Sequence, residues 1–146
     1  MKNFNQFFLE KQVFGLIEFF DVDGIGKIPS KLDSGNGAFN VIHGEDIQVQ
    51  GNKVLFKTVN NKHLIKDKVD DIVINVGAGN TEDRPIVEFD FSIGNKQFTN
   101  IPFTLSDRGT NLYKILVGKE FIENELDALI DVSQENIADE DFEAQY

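Results

Sequence analysis

Lys31-Leu32-Asp33-Ser34-Gly35 is the stretch on which the predicted fold and site depend. It ends a segment, residues 28–32, that is typical of a short strand. Aspartate is disfavoured inside strands, and glycine gives the backbone the freedom for a tight turn, so we predict that the strand ends at Asp33. Asp, Ser and Gly are also common turn residues, so the tripeptide alone does not identify a site. A second segment far downstream, Leu116-Val117-Gly118, supports the interpretation of residues 33–35 as a functional site.

The composition predicts one globular domain. The chain has 146 residues, 40% of them hydrophobic, which is enough for a core of its own. The absence of cysteine excludes disulfides and thiolate metal sites and suits a reducing compartment. Phe7-Phe8-Leu9 is too short for the apolar core of a signal peptide, and no segment approaches the roughly 20 apolar residues that span a bilayer. We therefore expect a cytoplasmic protein.

The charge makes two classes of partner unfavourable. The formal net charge is −11, whereas nucleic acids and anionic membranes are bound by clustered positive charge. Solubility is the ordinary reason for such acidity. Arginine occurs only at Arg84 and Arg108.

Short alternating segments between turn residues predict a mainly β protein, a small barrel or sandwich. Strands are expected over residues 14–20, 28–32, 39–42, 47–49, 54–56, 72–74, 86–93, 98–105 and 113–117. Residues 50–53 are typical of a hairpin turn, and Pro102 indicates an edge or a bulge. We expect residues 60–71, which are polar and rich in lysine, to form an exposed excursion, and residues 77–80 to form a flexible tip.

One helix is expected after Gly118, followed by an acidic tail. The apolar residues of the helical pattern are Phe121, Leu126, Leu129 and Ile130. The predicted organisation is an N-terminal arm over residues 1–13, a domain over 14–138 and an acidic tail over 139–146.

The residues do not indicate a metal or nucleotide cofactor. Residues 21–26 resemble the start of a calcium loop, but Leu32 stands where the loop needs a glutamate. A catalytic zinc site usually needs three protein ligands, and the two histidines, His43 and His63, are far apart in sequence. We interpret His43 as a structural residue and His63 as a solvated one. No phosphate-binding Gly-x-x-x-x-Gly-Lys-Ser/Thr loop is present.

An Asp-Ser-Gly early in a β-rich chain, with an apolar-apolar-Gly segment and one helix late, resembles the retropepsins, the single-lobed aspartic peptidases. The chain is similar to the bacterial and viral retropepsin-like family that carries the label ATP-dependent zinc protease. Besides residues 31–35, the matching motifs are His43-Gly44-Glu45-Asp46-Ile47, Glu82-Asp83-Arg84-Pro85-Ile86-Val87, Thr104-Leu105-Ser106-Asp107-Arg108 and Leu129-Ile130-Asp131-Val132-Ser133.

The chain departs from the family pattern at several positions. Ser34 replaces the commoner threonine and keeps its hydroxyl, whereas Val132 replaces a proline. Asn36-Gly37 follows where the family usually has alanine and a larger residue. Residues 76–79 stand where a serine-rich segment is usual, which weakens any inference about substrate contacts there.

The resemblance implies a closed, retropepsin-like β-barrel with one C-terminal helix, and an aspartic endopeptidase that acts as a homodimer on a protein or peptide. Asp33, Ser34 and Gly35 would form the catalytic loop, and Leu116, Val117 and Gly118 would support it. Arg84, Arg108, Gly77 and Gly79 would bind substrate. The flap that closes over the substrate would be residues 77–80 or residues 60–71. No cofactor, nucleic acid or membrane is implied, and the setting would be the cytoplasm of a bacterial or phage-infected cell.

Two other readings remain open. The first is a module of the same fold that no longer cleaves and serves in binding or assembly, for instance in a phage particle. The second is a plain β-barrel ligand carrier, which leaves the ordered motifs unexplained.

Overall fold

The structure, a computed structural model, describes residues 11–37 and 39–139. The strands within these ranges are β1 Val13–Val22, β2 Gly26–Leu32, β3 Val41–His43, β4 Glu45–Gln50, β5 Lys53–Lys57, β6 His63–Asp67, β7 Asp70–Gly77, β8 Asn80–Ile93, β9 Lys96–Ser106, β10 Ile115–Val117 and β11 Leu129–Glu135. A short helix, Phe121–Leu126, with hydrogen bonding of the π type, separates β10 from β11. Most of the predicted arm and tail, residues 1–10 and 140–146, lies outside the described residues.

The protein is mainly β, and eight strands form one mixed sheet in the order β11-β1-β2-β10-β3-β9-β8-β7. A second, antiparallel sheet has the order β4-β5-β6. No helix in the described part of the chain is long and apolar enough to cross a membrane.

The closed barrel implied by the resemblance is wrong. A strand has two edges, and one edge of β8 is occupied by β9. The other edge is divided, because β7 pairs with it from Asn80 to Ile86 and β1 pairs with only its last three residues, Phe91–Ile93. Because β7 occupies half of the edge that closure needs, the sheet folds over and touches itself at one end without closing.

Phenylalanines fill the space inside the folded sheet. Phe20 of β1 and Phe91 of β8 stack with ring centroids 4.8 Å apart. Phe91 also contacts Phe98, Phe103 and Phe121, so one ring joins β1, β8, β9 and the helix. Aromatic pairs of this kind add to the stabilisation that burial itself provides. The predicted alternation in residues 86–93 is confirmed for its apolar face, since Val87, Phe89, Phe91 and Ile93 are all buried.

The strands and hairpins follow the prediction, with two corrections. Residues 60–71 are mostly exposed, as predicted, but β6 lies within them and pairs with β5 from His63 to Asp67. Leu129 and Ile130 do not continue the helix but begin β11, which runs parallel to β1. The predicted edge position of Pro102 is confirmed, since it pairs with Glu88 of β8 whereas β3 meets β9 only from Thr104 onward.

A buried carboxylate ties β1 to the C-terminal segment. Glu18 is fully buried. One of its oxygens accepts the Gly15 N–H at 2.7 Å and the other accepts the Ala138 N–H at 3.1 Å. Burial raises the pKa of the Glu18 carboxyl, and these backbone donors offset the rise only in part. Gly15 permits the close approach, because a Cβ there would lie 2.4 Å from the carbonyl oxygen of Gln134.

We predict that the stability of the wild type relative to Glu18→Gln falls as the pH rises. The folded-state pKa of Glu18 is above the unfolded-state value, so the stabilisation due to protonated Glu18 is complete below about pH 4.5 and is lost as the pH rises through the folded-state pKa. Glutamine does not titrate. Its side-chain NH₂ group would also face one of the two buried backbone N–H groups, so that two donors meet and one hydrogen bond is lost. The variant should therefore be less stable by about 1–3 kcal/mol.

Urea denaturation of both proteins from about pH 4 to 8 measures this difference. Glu120→Gln, at an exposed glutamate, is the control and should show no comparable trend. A stability difference that stays constant or grows with pH would contradict the assignment.

Candidate functional site

Asp33 begins a tight loop directly after β2. Its N–H donates to the carbonyl oxygen of Val117 at 3.0 Å. Its side chain accepts the Gly35 N–H at 3.2 Å, and its carbonyl accepts the Asn36 N–H at 3.1 Å. Asp33 is half-buried, whereas Ser34 and Gly35 are exposed. The carboxylate is therefore held by its own loop and is still accessible from solvent.

The support segment lies beside the loop. β10 runs parallel to β2, with Leu116 opposite Lys31 and Val117 opposite Leu32. On its other side β10 pairs antiparallel with β3. Val117 is fully buried, so the acceptor for the Asp33 N–H belongs to a strand fixed on both sides.

Asn40 joins the loop to two neighbouring segments, β9 and the residue that follows β10. Its Oδ1 accepts the Gly118 N–H at 3.0 Å, and its Nδ2 donates to the carbonyl oxygen of Pro102 at 3.1 Å. Its own carbonyl oxygen accepts the Thr104 N–H at 2.9 Å. One residue beyond Gly118, the Lys119 N–H donates to the Asn36 carbonyl at 2.8 Å. Sequence reasoning assigned no role to Asn40, since a single asparagine before a strand carries no distinctive signal.

A groove of about 480 Å³ lies next to this loop. It brings together the far end of the loop, β7, both arginines and part of β10. Its lining residues are Asn36, Gly37, Phe39, Val41, Ile72, Val73, Ile74, Arg84, Thr104, Arg108 and Leu116. The walls are thus largely apolar and carry two guanidinium groups.

The two arginines differ in their partners. Arg84 Nε lies 3.4 Å from Glu82 Oε1. Arg108 Nε donates to the Tyr113 carbonyl at 2.9 Å, and no carboxylate among the described residues forms an ion pair with it. Burial lowers the pKa of the Arg108 guanidinium. Arg108 therefore brings a partly desolvated positive charge to the groove, where an anionic group would be favoured.

Gly77 and Gly79 do not reach the groove. With Ala78 between them, they form the tip of the β7–β8 hairpin, and all three residues have positive φ angles, of 101°, 51° and 74°. The groove is lined instead by Ile72, Val73 and Ile74, further down the same hairpin. The other flap candidate, residues 60–71, contains β6, which belongs to the second sheet, and the first two residues of β7.

The two histidines have different surroundings. His43 is buried at the end of β3, and its Nε2 lies 3.1 Å from Glu45 Oε1. His63 is exposed on β6. No cluster of three or more metal-ligating side chains occurs in residues 11–37 and 39–139.

We predict that Asn40→Ala destabilises the protein by about 1–3 kcal/mol, because the Gly118 N–H and the Pro102 carbonyl lose their partner. Urea denaturation measures the loss, and hydrogen exchange at the Gly118 and Lys119 amides should become faster. Asn124→Ala, at an exposed asparagine, is the control and should change stability by less than about 0.5 kcal/mol. Equal effects of the two substitutions would refute the role given to Asn40.

Comparisons with known proteins show the fold and leave the activity open. No family model matches the chain, and no curated protein matches it. A crystal structure of a protein of unknown function (DUF785) from Legionella pneumophila is similar, with a TM-score of 0.71 and 20% sequence identity. The similarity covers 86% of this chain and 97% of the Legionella chain, so the two proteins share their overall fold.

Proposed function

We propose that the protein is a retropepsin-like aspartic endopeptidase that acts as a homodimer. The observation that carries the proposal is the Asp33-Ser34-Gly35 loop, which lies at the end of β2 and is held by the backbone of β10. The next two residues, Asn36 and Gly37, line a groove. An exposed loop with an ionisable group near a groove with largely apolar walls suits the binding and hydrolysis of a peptide.

The chemistry requires two carboxylates, and one chain supplies one Asp-Ser-Gly. A two-fold axis next to the loop would bring Asp33 and its counterpart together. Two carboxylates about 3 Å apart do not both ionise, so the pair holds one proton. The exposure of Ser34 and Gly35 supports this arrangement, because a second copy of the loop can approach them.

Hydrolysis then follows from general acid–base catalysis. The ionised carboxylate takes a proton from a water molecule, and the water oxygen attacks the scissile carbonyl carbon. The protonated carboxyl donates to the carbonyl oxygen, giving a tetrahedral intermediate. This intermediate collapses when the first carboxyl gives the proton it took from water to the nitrogen of the leaving amine, the second carboxylate takes a proton from a hydroxyl of the intermediate, and the C–N bond breaks. The products are a free carboxylate and a free amine.

The groove residues have supporting roles in the proposal. Ser34 would link the two loops across the dimer, and Gly35 would let the substrate backbone approach closely. The β7–β8 hairpin, with Gly77 and Gly79 at its tip, is the better flap, because β7 lines the groove and β6 does not. Arg108 and, less strongly, Arg84 would bind carboxylate groups of the substrate. A cytoplasmic setting is part of the proposal.

We predict that Asp33→Asn abolishes peptide cleavage while the protein stays folded and dimeric. The amide cannot accept the proton of the attacking water, so the rate should fall by at least about 100-fold. A peptide library incubated from about pH 4 to 8, the range that brackets the titration of a carboxylate dyad, with mass-spectrometric detection, measures cleavage. Sedimentation measures the dimer.

Asp127→Asn is the matched control, because Asp127 has a left-handed φ of 47° that asparagine tolerates well. It should leave cleavage unchanged. Cleavage that survives Asp33→Asn and is abolished by a chelator would refute the proposal. If the wild type forms a stable dimer and cleaves no peptide, the peptidase proposal is refuted in favour of a non-catalytic binding or assembly module.

A further inference from the structure

His43 is connected to the groove through the backbone of Arg108. It ends β3 and is 5% exposed. Its Nδ1 accepts the Arg108 N–H at 2.9 Å, and its Nε2 lies 3.1 Å from Glu45 Oε1. Its own N–H donates to the Lys114 carbonyl at 2.8 Å, and the Thr58 hydroxyl donates to its carbonyl at 2.6 Å. Both ring nitrogens therefore have a partner, and the ring is fixed from several directions.

These partners fix the tautomer of the imidazole. A backbone N–H can only donate, so Nδ1 must accept and carries no proton. An ionised carboxylate can only accept, so Nε2 carries the proton and donates to Glu45. The arrangement therefore selects the neutral imidazole with hydrogen on Nε2.

Lys114 fixes the loop that follows Arg108. Lys114 Nζ donates to the carbonyl oxygens of Arg108, Gly109 and Asn111, at 2.8, 2.9 and 2.7 Å. Arg108 Nε donates to the Tyr113 carbonyl in the same loop. Lys114 thus holds the Arg108 carbonyl and His43 holds the Arg108 N–H, so both sides of that residue's backbone are anchored. Arg108 also lines the groove.

We infer that His43 is a positioning residue that holds Arg108 in the groove through its neutral Nε2–H tautomer, and that protonation of His43 releases Arg108. The inference rests on the proposed function only in treating the groove as the peptide-binding site.

The release follows from hydrogen-bond chemistry. Protonation places a hydrogen on Nδ1, which then faces the Arg108 N–H as a second donor, and that bond breaks. Asp107 Oδ1 lies 3.7 Å from Nδ1 and would then face a positively charged ring. The other charged residues around the ring are Glu45, Arg108 and Lys114. Glu45 also lies 3.8 Å from Lys57 Nζ. Because the bond to Arg108 is lost, substrate binding that depends on Arg108 should weaken on acidification.

The first experiment needs no enzymatic activity. Long-range ¹H–¹⁵N correlation spectra of the uniformly ¹⁵N-labelled protein report the protonation of each imidazole nitrogen, and His63→Asn leaves one histidine to assign. At about pH 8 we expect His43 to show an unprotonated Nδ1 and a protonated Nε2. On acidification, the Arg108 backbone amide should shift together with the His43 ring. A protonated Nδ1 at high pH, or an Arg108 amide that does not follow the ring, would overturn the inference.

The second experiment uses substrate, namely the best-cleaved peptide from the library that carries a carboxylate side chain. His43→Leu removes the acceptor, and we expect KM to rise about 10-fold with kcat within about 2-fold, the effect of one lost hydrogen bond. His43→Asn keeps an acceptor oxygen near the Nδ1 position and does not titrate. It should restore KM, and the rise of KM at low pH seen in the wild type should be absent.

A double mutant with Arg108 distinguishes a positioning role of His43 from a general effect on stability. If His43 acts through Arg108, His43→Leu should add little to the effect of Arg108→Gln on KM. Independent, multiplicative effects would overturn the inference. His63→Asn, at the exposed histidine, is the matched control and should leave KM unchanged. If no peptide is cleaved at all, the proposed function fails, whereas the spectra still decide the tautomer and the link to Arg108.

Discussion

The candidate site depends on a strand of three residues. β10, Ile115–Val117, lies between β2 and β3 and is hydrogen bonded to both. Its last carbonyl accepts the Asp33 N–H, and the two residues after it bond to Asn40 and Asn36. The loop between β2 and β3 is therefore held by the backbone near both ends. Because Ile115 and Val117 are fully buried, hydrophobic burial fixes the position of a polar loop.

Most of the strands and the core could be predicted from the sequence, because alternation and turn residues are local signals. The clean alternation of residues 86–93 and the turn residues at 50–53 correspond to β8 and to the β4–β5 hairpin. Leu129 and Ile130 were predicted to be helical because their spacing suits a helix. The same apolar residues also suit a strand when a parallel partner is present, and β1 is that partner. The strand β6 within residues 60–71 was not predicted, because β6 forms only with β5 beside it, which sequence alone does not reveal.

The candidate site was less predictable than the fold. The Asp33 loop and the support segment could be proposed because their residue types are unusual at strand ends. The contacts of Asn40, His43 and Lys114 had no such signal, since their partners lie at separations from 2 to 78 residues along the chain. The prediction of a closed barrel was wrong for a geometric reason. β7 and β1 share one edge of β8, and the sequence of neither strand indicates that they do.

Charge is distributed unevenly in a way that suits the proposal. The chain has a formal net charge of −11, yet both of its arginines line one groove beside the Asp33 loop. A guanidinium that is partly removed from water and has no carboxylate partner among the described residues is costly unless something compensates it. Backbone carbonyls compensate Arg108 in part. An anionic ligand would complete the compensation.

The central claim is that two copies of Asp33 form one catalytic site, and subunit mixing tests it most directly. Wild type and Asp33→Asn are combined in equal amounts in urea, refolded together, and assayed for peptide cleavage. Random pairing leaves one dimer in four with two Asp33 residues, so the account predicts about one quarter of the activity of the same total amount of wild type. Retention of about one half would mean that each chain works independently, and would contradict the account.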